Sequence, residues 1–345
     1  MNVNLLDCTL RDGGHVNNAS FGKGTMQQIV QKLVKSKVDL IELGFLMNGD
    51  HSCDQSRYKQ IESAYDLLPD DTGKQDFAVI IRPDWYDIGN LSKCDGRIQK
   101  IRFAFYYRDF KLLVKQVDYV RNHGYNFFLN PVNIMSYSDV ELRSLLREVK
   151  TLQPYGVAIV DTFGSLMKED LKRVYQALED NLPETTAITL HLHENMSLSF
   201  SLAQEFIALH NKNRKVYIDG SLLGMGRIPG NLCIEVIMVY LNNHCDKNYE
   251  LAPVYDAIYE HIEPIKHKIP WGYSPAYFLT AVYKMHRSYA EFLLEKEELS
   301  CSDIDAILLN IQEKKDKDHY NESLVERLYR SHIQSKAMSK RQRRS

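Results

Sequence analysis

The chain of 345 residues lacks any apolar run near the roughly 18 residues that cross a bilayer. It also enters an apolar strand at once, with no basic leader and cleavage pattern, so neither a membrane partner nor a secretory signal is expected. Charge of one sign is missing too. Lys and Arg number 43 against 45 Asp and Glu, and the net of -2 gives no field that would select nucleic acid or a membrane surface. The six cysteines (Cys8, Cys53, Cys94, Cys233, Cys245 and Cys301) have no paired spacing. They read as reduced thiols of a cytoplasmic protein, not as a disulfide framework or a zinc site. No Gly-x-Gly-x-x-Gly follows the first strand, which argues against dinucleotide binding, and Gly224-Met225-Gly226 lacks the rest of that spacing. The basic end, Ser339 to Arg344, has no interleaved aromatic residues, so 333–345 is expected to be a disordered solvated tail.

What is present is an alternation. Short apolar, β-branched-rich runs begin at Val3, Val38, Phe77, Lys100, Tyr125, Tyr155, Ala187 and Val216. Amphipathic helical patterns separate nearly all of them, including 24–37, 55–68, 110–122, 139–151, 168–182 and 198–210, and one more helix at 233–241 closes the series. Runs buried on both faces and alternating with helices imply a parallel sheet covered by helices. Eight such units in roughly 245 residues fit an α/β (β/α)8 TIM barrel better than an open sheet. From Leu251 the strand signal ends, and helical patterns at 254–266, 276–294, 303–312 and 322–330 predict a small helical domain. The expected division is a catalytic barrel over 1–245, helices over 246–332 and the tail.

In a parallel barrel the strand C-termini carry the chemistry. The first strand ends in Asp7-Cys8-Thr9-Leu10-Arg11-Asp12-Gly13-Gly14-His15. Alone, that stretch is most economically an Asp-Gly turn. Other strands end in matching chemistry, however: Glu42, Arg82, Arg102, Asp161-Thr162, Asp219 and, above all, His191-Leu192-His193. Residues two apart on a strand point to one side, so both histidines can converge on one ion. Asp12 offers an anionic third ligand, and Asn231, in a glycine-flanked loop, an amide oxygen. Two imidazoles and a carboxylate without a thiolate lean toward Mn²⁺ or Mg²⁺, less toward Zn²⁺ or Fe²⁺, and the same set is also the facial triad of an iron oxygenase. Glu42, Asp161, Thr162 and Asp219 either position substrate or serve as partners of Arg82, Arg102 and Arg227.

Four motifs in register carry a resemblance. Thr-Leu-Arg-Asp-Gly, Val-Asp-Thr-Phe-Gly, His-Leu-His-Glu-Asn and Gly-Met-Gly-Arg-Ile-Pro-Gly-Asn, over residues 2–241, resemble the metal-dependent aldolase and lyase barrels. Those include 4-hydroxy-2-oxovalerate aldolase, 3-hydroxy-3-methylglutaryl-CoA lyase and the isopropylmalate and homocitrate synthases. After Arg-Asp-Gly the synthases continue Glu-Gln and the CoA lyases Leu-Gln. Gly14-His15 looks like the 4-hydroxy-2-oxoacid aldolase pattern.

The resemblance implies that Asp12, His191 and His193 hold the metal, that Asn231 matches an asparagine ligand of the CoA lyase, and that His15 is the acid/base. It implies that Arg11 stabilises an enolate. Arg227 departs from the small residues many relatives place in this loop, and with Arg82 and Arg102 it is a candidate to bind an anionic substrate tail. Trp271-Gly272-Tyr273-Ser274 is similar to the segment in which a tyrosine of the helical domain reaches the aldolase site, a role set against simple packing for Tyr273. The expected substrates are a 2-oxoacid and an aldehyde. The competing readings are a Claisen-type acyl-CoA lyase or synthase and a non-catalytic barrel partner. A homodimer and a dehydrogenase partner are both compatible with the sequence.

Overall fold

The computed structural model describes residues 2–210, 213–296 and 298–342. Its sheet contains β1 (Val3–Asp7), β2 (Leu40–Leu46), β3 (Arg57–Tyr58), β4 (Asp76–Ile81), β5 (Lys100–Phe105), β6 (Asn126–Pro131), β7 (Gly156–Val160), β8 (Ala187–His191) and β9 (Val216–Gly220). All neighbours are parallel, and β1 pairs with both β9 and β2, so the eight long strands close into a barrel with β3 as a short addition beside β2. The expected TIM barrel is what the chain forms. Outside it run α1 (Lys23–Lys35), α2 (Phe110–Asn122), α3 (Asp139–Leu152), α4 (Lys168–Asn181), α5 (Ser199–Leu209) and α6 (Ile234–His244).

The period of two along each strand separates two packing environments. Leu5, Ile41, Val79, Ile101, Leu129, Val157, Ile188 and Ile218 belong to the large core shared with the helices. The residues one place along, Leu6, Leu40, Ala78, Phe128, Ala187 and Tyr217, form a separate cluster along the barrel axis. Gly156 is required there, since a Cβ at that position would lie 2.4 Å from the Phe128 ring. Two residues further along the same inward face stand Glu42, Ile80, Arg102, Asn130, Thr189 and Asp219. The barrel therefore changes from apolar to charged along its axis.

Four stretches depart from expectation. The segment 55–68 is not an α-helix but strand β3 followed by a 3-10 helix, Ile61–Leu67. Its buried residues Ile61, Ala64 and Leu67 recur every third position, the period at which 3-10 side chains eclipse. Residues 246–272 group with the barrel. The two compact units are the described parts of Met1–Thr162, Leu166–Glu194 and Leu198–Gly272, and of Phe163–Ser165, Asn195–Ser197 and Tyr273–Ser345. Within the first, α7 (Ala252–Ala257) and α8 (Glu263–Lys268) are joined by a π turn, Ile258–Ile262. Pro264 has no N–H to give the Glu260 carbonyl, which accounts for the wider turn. Val254, Ala257 and Ile262 enter the barrel core, and Lys32 of α1 pairs with Glu260 at 2.9 Å.

The second unit holds α9 (Pro275–Val282), α10 (Ser288–Leu294), α11 (Cys301–Leu308), α12 (Lys314–Asp318) and α13 (Glu322–Gln342). The pattern at 276–294 thus splits into two helices, broken where Lys284 takes a positive φ of 51°. Residues 333–342, expected as a disordered tail, continue α13, whereas 343–345 lie outside the described residues. Lys336 forms an ion pair with Asp303 of α11 and His332 lies 2.8 Å from the same carboxylate, contacts that tie this last stretch down. No helix among the described residues is long and apolar enough to cross a membrane.

Asp7 closes β1 without facing solvent. Thr9 donates to it through its backbone N–H at 3.0 Å and its hydroxyl at 2.7 Å, yet burial pushes the carboxyl up to about 7. The unfolded value is about 3.9, so the native state holds the extra proton between the two values. Stability contributed by this group is therefore full below about pH 4 and declines as pH rises toward 7. Asp7→Asn should flatten that part of the curve of melting temperature against pH. An unchanged slope between pH 4 and 7 would assign the decline to other groups.

Candidate metal centre

The ligand atoms of Asp12, His191 and His193 all lie within 4.8 Å of one another, and all three residues are buried. Each arrives by a different rule. Asp12 sits at the 3-10 turn after β1, where Gly13 and Gly14 leave room: a Cβ on Gly13 would press on Met225 at 3.2 Å. His191 ends β8 and His193 follows two residues later, so the pleat points both inward.

Their orientation is set from behind. The Asp219 carboxylate lies 3.1 Å from Nδ1 of His191, and Nδ1 of His193 is 2.8 Å from the Asp161 carbonyl. Both contacts suit an Nδ1–H donor, which leaves Nε2 as the electron-pair donor of each ring. Nε2 of His193 is buried without a hydrogen-bond partner, 3.7 Å from Asp12 Oδ2.

Charge alternates around this trio. Arg11 donates to Asp12 at 2.5 Å and to Glu42 at 2.6 Å. Arg102 donates to Glu42 at 3.1 Å and to Asp219 at 2.6 Å. Asp219 returns to His191, completing an arc of buried pairs from one candidate ligand to another. Burial alone would raise the Asp12 carboxyl, but Arg11 and the two histidines hold it well below the usual carboxylate range. The same contest, won by Arg102 and His191, lowers Asp219. His191 is lowered mainly by burial, with Arg11 opposing its charge, so the imidazole stays neutral at physiological pH.

Two imidazoles and an ionised Asp form a donor set for a divalent cation. Two amide oxygens left over suit such a guest. Asn130 Oδ1 in the cleft lining and Asn231 Oδ1 beside His193 are buried without hydrogen bonds, where natural interiors pair nearly every such atom. Asn231 forms an antiparallel bridge with His193 and donates its amide to the Met225 carbonyl at 3.3 Å. A side chain on Gly226 would collide with that carboxamide at 2.3 Å, which explains the glycine there.

A cleft of about 700 Å³, counting its solvent-open mouth, lies over the trio. Its lining repeats the period of two in Ile80 and Arg82, Arg102 and Ala104, Asn130 and Val132, Val160 and Thr162, His191 and His193. Arg11, His15 and Arg227 complete the expected residues. His15 stands 3.9 Å from Asp12 and meets the edge of Phe45 at 5.6 Å. Thr162 Oγ1 accepts the Asn133 backbone N–H at 2.7 Å. Arg82 holds Asp84 with two bonds, at 3.0 and 2.6 Å, and stacks 4.0 Å over Trp85. Glu42 and Asp219 do not line the cleft and instead pair with arginines, while Asp161 contributes its carbonyl and accepts the Leu166 N–H. Tyr273 belongs to the other unit, where it is exposed and lies against Phe278.

Sequence reasoning passed over Phe45, Trp85 and Tyr106, all of which line the cleft. Trp85, three residues past the end of the inward row at Arg82 and one of two tryptophans, was the available signal.

Arg102 is fully buried between two carboxylates. Removing it in Arg102→Met leaves Glu42 with Arg11 alone and Asp219 with no guanidinium partner, and should destabilise the fold by about 3–5 kcal/mol. Urea unfolding of wild type, Arg102→Met and Arg102→Lys measures this. Equal midpoints for wild type and the Met variant would rule out the ion-pair account.

A family model described as HMGL-like matches residues 2–258, across the barrel and the site just built. The chain belongs to the HMGL-like family. As a member it is a carbon–carbon lyase enzyme. It is 27% identical over 250 residues to a 4-hydroxy-2-oxovalerate aldolase of Chloroflexus aurantiacus, covering 69% of this chain and 68% of that protein. The N-terminal domain of a putative aldolase from Bacteroides vulgatus superposes with a TM-score of 0.71 at 20% identity, over 84% of this chain and 96% of that one. The HMG-CoA lyase of Bacillus subtilis superposes at 0.59 with 14% identity, over 78% and 94%. These two structures share the fold.

Proposed function

We propose that this HMGL-like protein is a divalent-metal-dependent aldolase that cleaves or forms a 4-hydroxy-2-oxoacid, exchanging it with a pyruvate-type enolate and an aldehyde. The observation that carries this reading is the placement of Arg11, Asp12 and His15 on one strand end, opposite His191 and His193 and over one cleft. The relatives named 4-hydroxy-2-oxovalerate aldolase support it.

In this reading Asp12, His191 and His193 hold the ion, most suitably Mn²⁺ or Mg²⁺, with Asn231 Oδ1 as a further donor. The bound ion would supply Lewis-acid polarisation of the 2-oxo group. In cleavage His15 takes the proton of the C4 hydroxyl, for which an imidazole near neutral pH is suited. The C3–C4 bond breaks, the aldehyde leaves, and the bonding pair is delocalised onto the C2 oxygen. Arg11, kept protonated by Glu42 and Asp12, faces the charge that develops there. Protonation at C3 completes pyruvate. Thr162 can position the oxoacid, and Tyr273 enters the proposal from the resemblance alone. An acyl-CoA reaction is less favoured, because Gly14-His15 replaces the Glu-Gln and Leu-Gln of those relatives.

The test is deuterium exchange at the pyruvate methyl group, with Mn²⁺ or Mg²⁺ and with chelator. Exchange that requires added metal is expected. Its absence with every divalent ion tried would overturn the reading.

A further inference from the structure

The charges lining the cleft do not balance. Among the described residues it is lined by one carboxylate, Asp12, and by four guanidinium groups, those of Arg11, Arg82, Arg102 and Arg227. Three of the four are neutralised from behind. Arg11 has Asp12 and Glu42, Arg102 has Glu42 and Asp219, and Arg82 has Asp84. Arg227 is different. Its backbone N–H donates to Asp12 Oδ2 at 3.3 Å, which fixes its Cα beside the candidate ligands, but its guanidinium has no ion pair among the described residues.

Arginine cannot shed its charge, and half-buried in a low-dielectric cleft it is most stable against an anion. A divalent cation on Asp12, His191 and His193 would enlarge the imbalance. The carboxylate of a 2-oxoacid answers only the charge at the metal and at Arg11. Part of the wall is flat and aromatic, with Trp85 and Tyr106 lying 4.0 and 5.5 Å from the Arg82 guanidinium. Such faces suit a short carbon chain or polyol running out of the site.

We infer that the aldehyde partner is itself an anion, carrying a carboxylate or a phosphate that Arg227 grips as a fork, with Arg82 as the second cation. This rests on the aldolase reading and names its substrate class. The distal end of the 4-hydroxy-2-oxoacid then carries the second negative charge, and neutral aldehydes are poor partners.

The test uses the full chain with Mn²⁺ and pyruvate, and three short aldehydes: glyceraldehyde (neutral), glyceraldehyde 3-phosphate (phosphate) and succinic semialdehyde (carboxylate). Condensation kcat/KM is measured for each, together with the aldehyde concentration that halves pyruvate methyl exchange, a reading that needs no carbon–carbon bond formation. At least one anion should outperform glyceraldehyde by about 10- to 100-fold, mostly through KM, as expected for loss of a charge-assisted bidentate contact. The anionic and neutral arms separate the charge, and the two anions separate phosphate from carboxylate. In Arg227→Met the ratio should collapse toward one, and Arg227→Lys should restore part of it. Equal performance of all three aldehydes by both readings, or a preference that survives Arg227→Met, overturns the inference. Absence of pyruvate exchange removes the aldolase reading and this inference with it. Exchange without anion preference removes the inference alone.

Discussion

Asp12→Asn is expected to cut metal-dependent pyruvate methyl exchange by about a thousandfold or more, while the protein stays folded. Asn preserves the shape of the side chain and removes the only negative charge in the candidate ligand trio. Two neutral imidazoles remain, a donor set with far weaker hold on Mn²⁺ or Mg²⁺, which prefer oxygen anions. The change also strips Arg11 of one of its two carboxylate partners, although Glu42 still holds it at 2.6 Å. Loss of the ion would remove the Lewis-acid stabilisation of the enolate, worth several kcal/mol, and about 4 kcal/mol is a thousandfold in rate. A second readout does not depend on turnover. Wild type should gain melting temperature with Mn²⁺, as RT ln(1 + [L]/Kd) requires, and the variant should not. Exchange within tenfold of wild type would remove Asp12 from the metal centre.

His15→Ala should separate the two half-reactions. In the proposed reaction, enolisation of pyruvate would need the metal centre and Arg11, whereas the proton of the C4 hydroxyl would need a base over the cleft. His15 stands there, beside Phe45 and 3.9 Å from Asp12. Its removal should lower cleavage of a 4-hydroxy-2-oxoacid by about 10²–10⁴, the usual contribution of a positioned general base. Exchange should fall by much less. The ring also packs edge-on against Phe45, so His15→Gln serves as the control that keeps bulk without a basic nitrogen. Cleavage at the wild-type rate in either variant would take His15 out of the acid/base role.

Much of the candidate site was legible because it rests on two local rules. The pleat sends residues two apart to the same face, so His191-x-His193 announced convergence before any fold was known. Alternating apolar strands and amphipathic helices announced the barrel, whose strand ends collect polar groups at one face. Asp12 could then be set opposite the histidines from its position at the end of β1. The failures were local as well. At 61–67 the buried period is three, which a helix reading of 55–68 absorbed without notice. At 333–342 the contact that holds the helix runs from Lys336 to Asp303, 33 residues away, and composition has no view of it.

By itself, then, the sequence determined the architecture and the identity of the groups delivered to the barrel mouth, because periodicity and strand-end position are properties of neighbouring residues. Tertiary structure alone decided which of those groups pair. Glu42 and Asp219 were open either to substrate or to an arginine until barrel closure brought Arg102, 60 and 117 residues away in sequence, between them. That same closure brought Glu42 to both Arg11 and Arg102, whereas Arg82 takes Asp84 from its own segment and Arg227 has no carboxylate partner among the described residues.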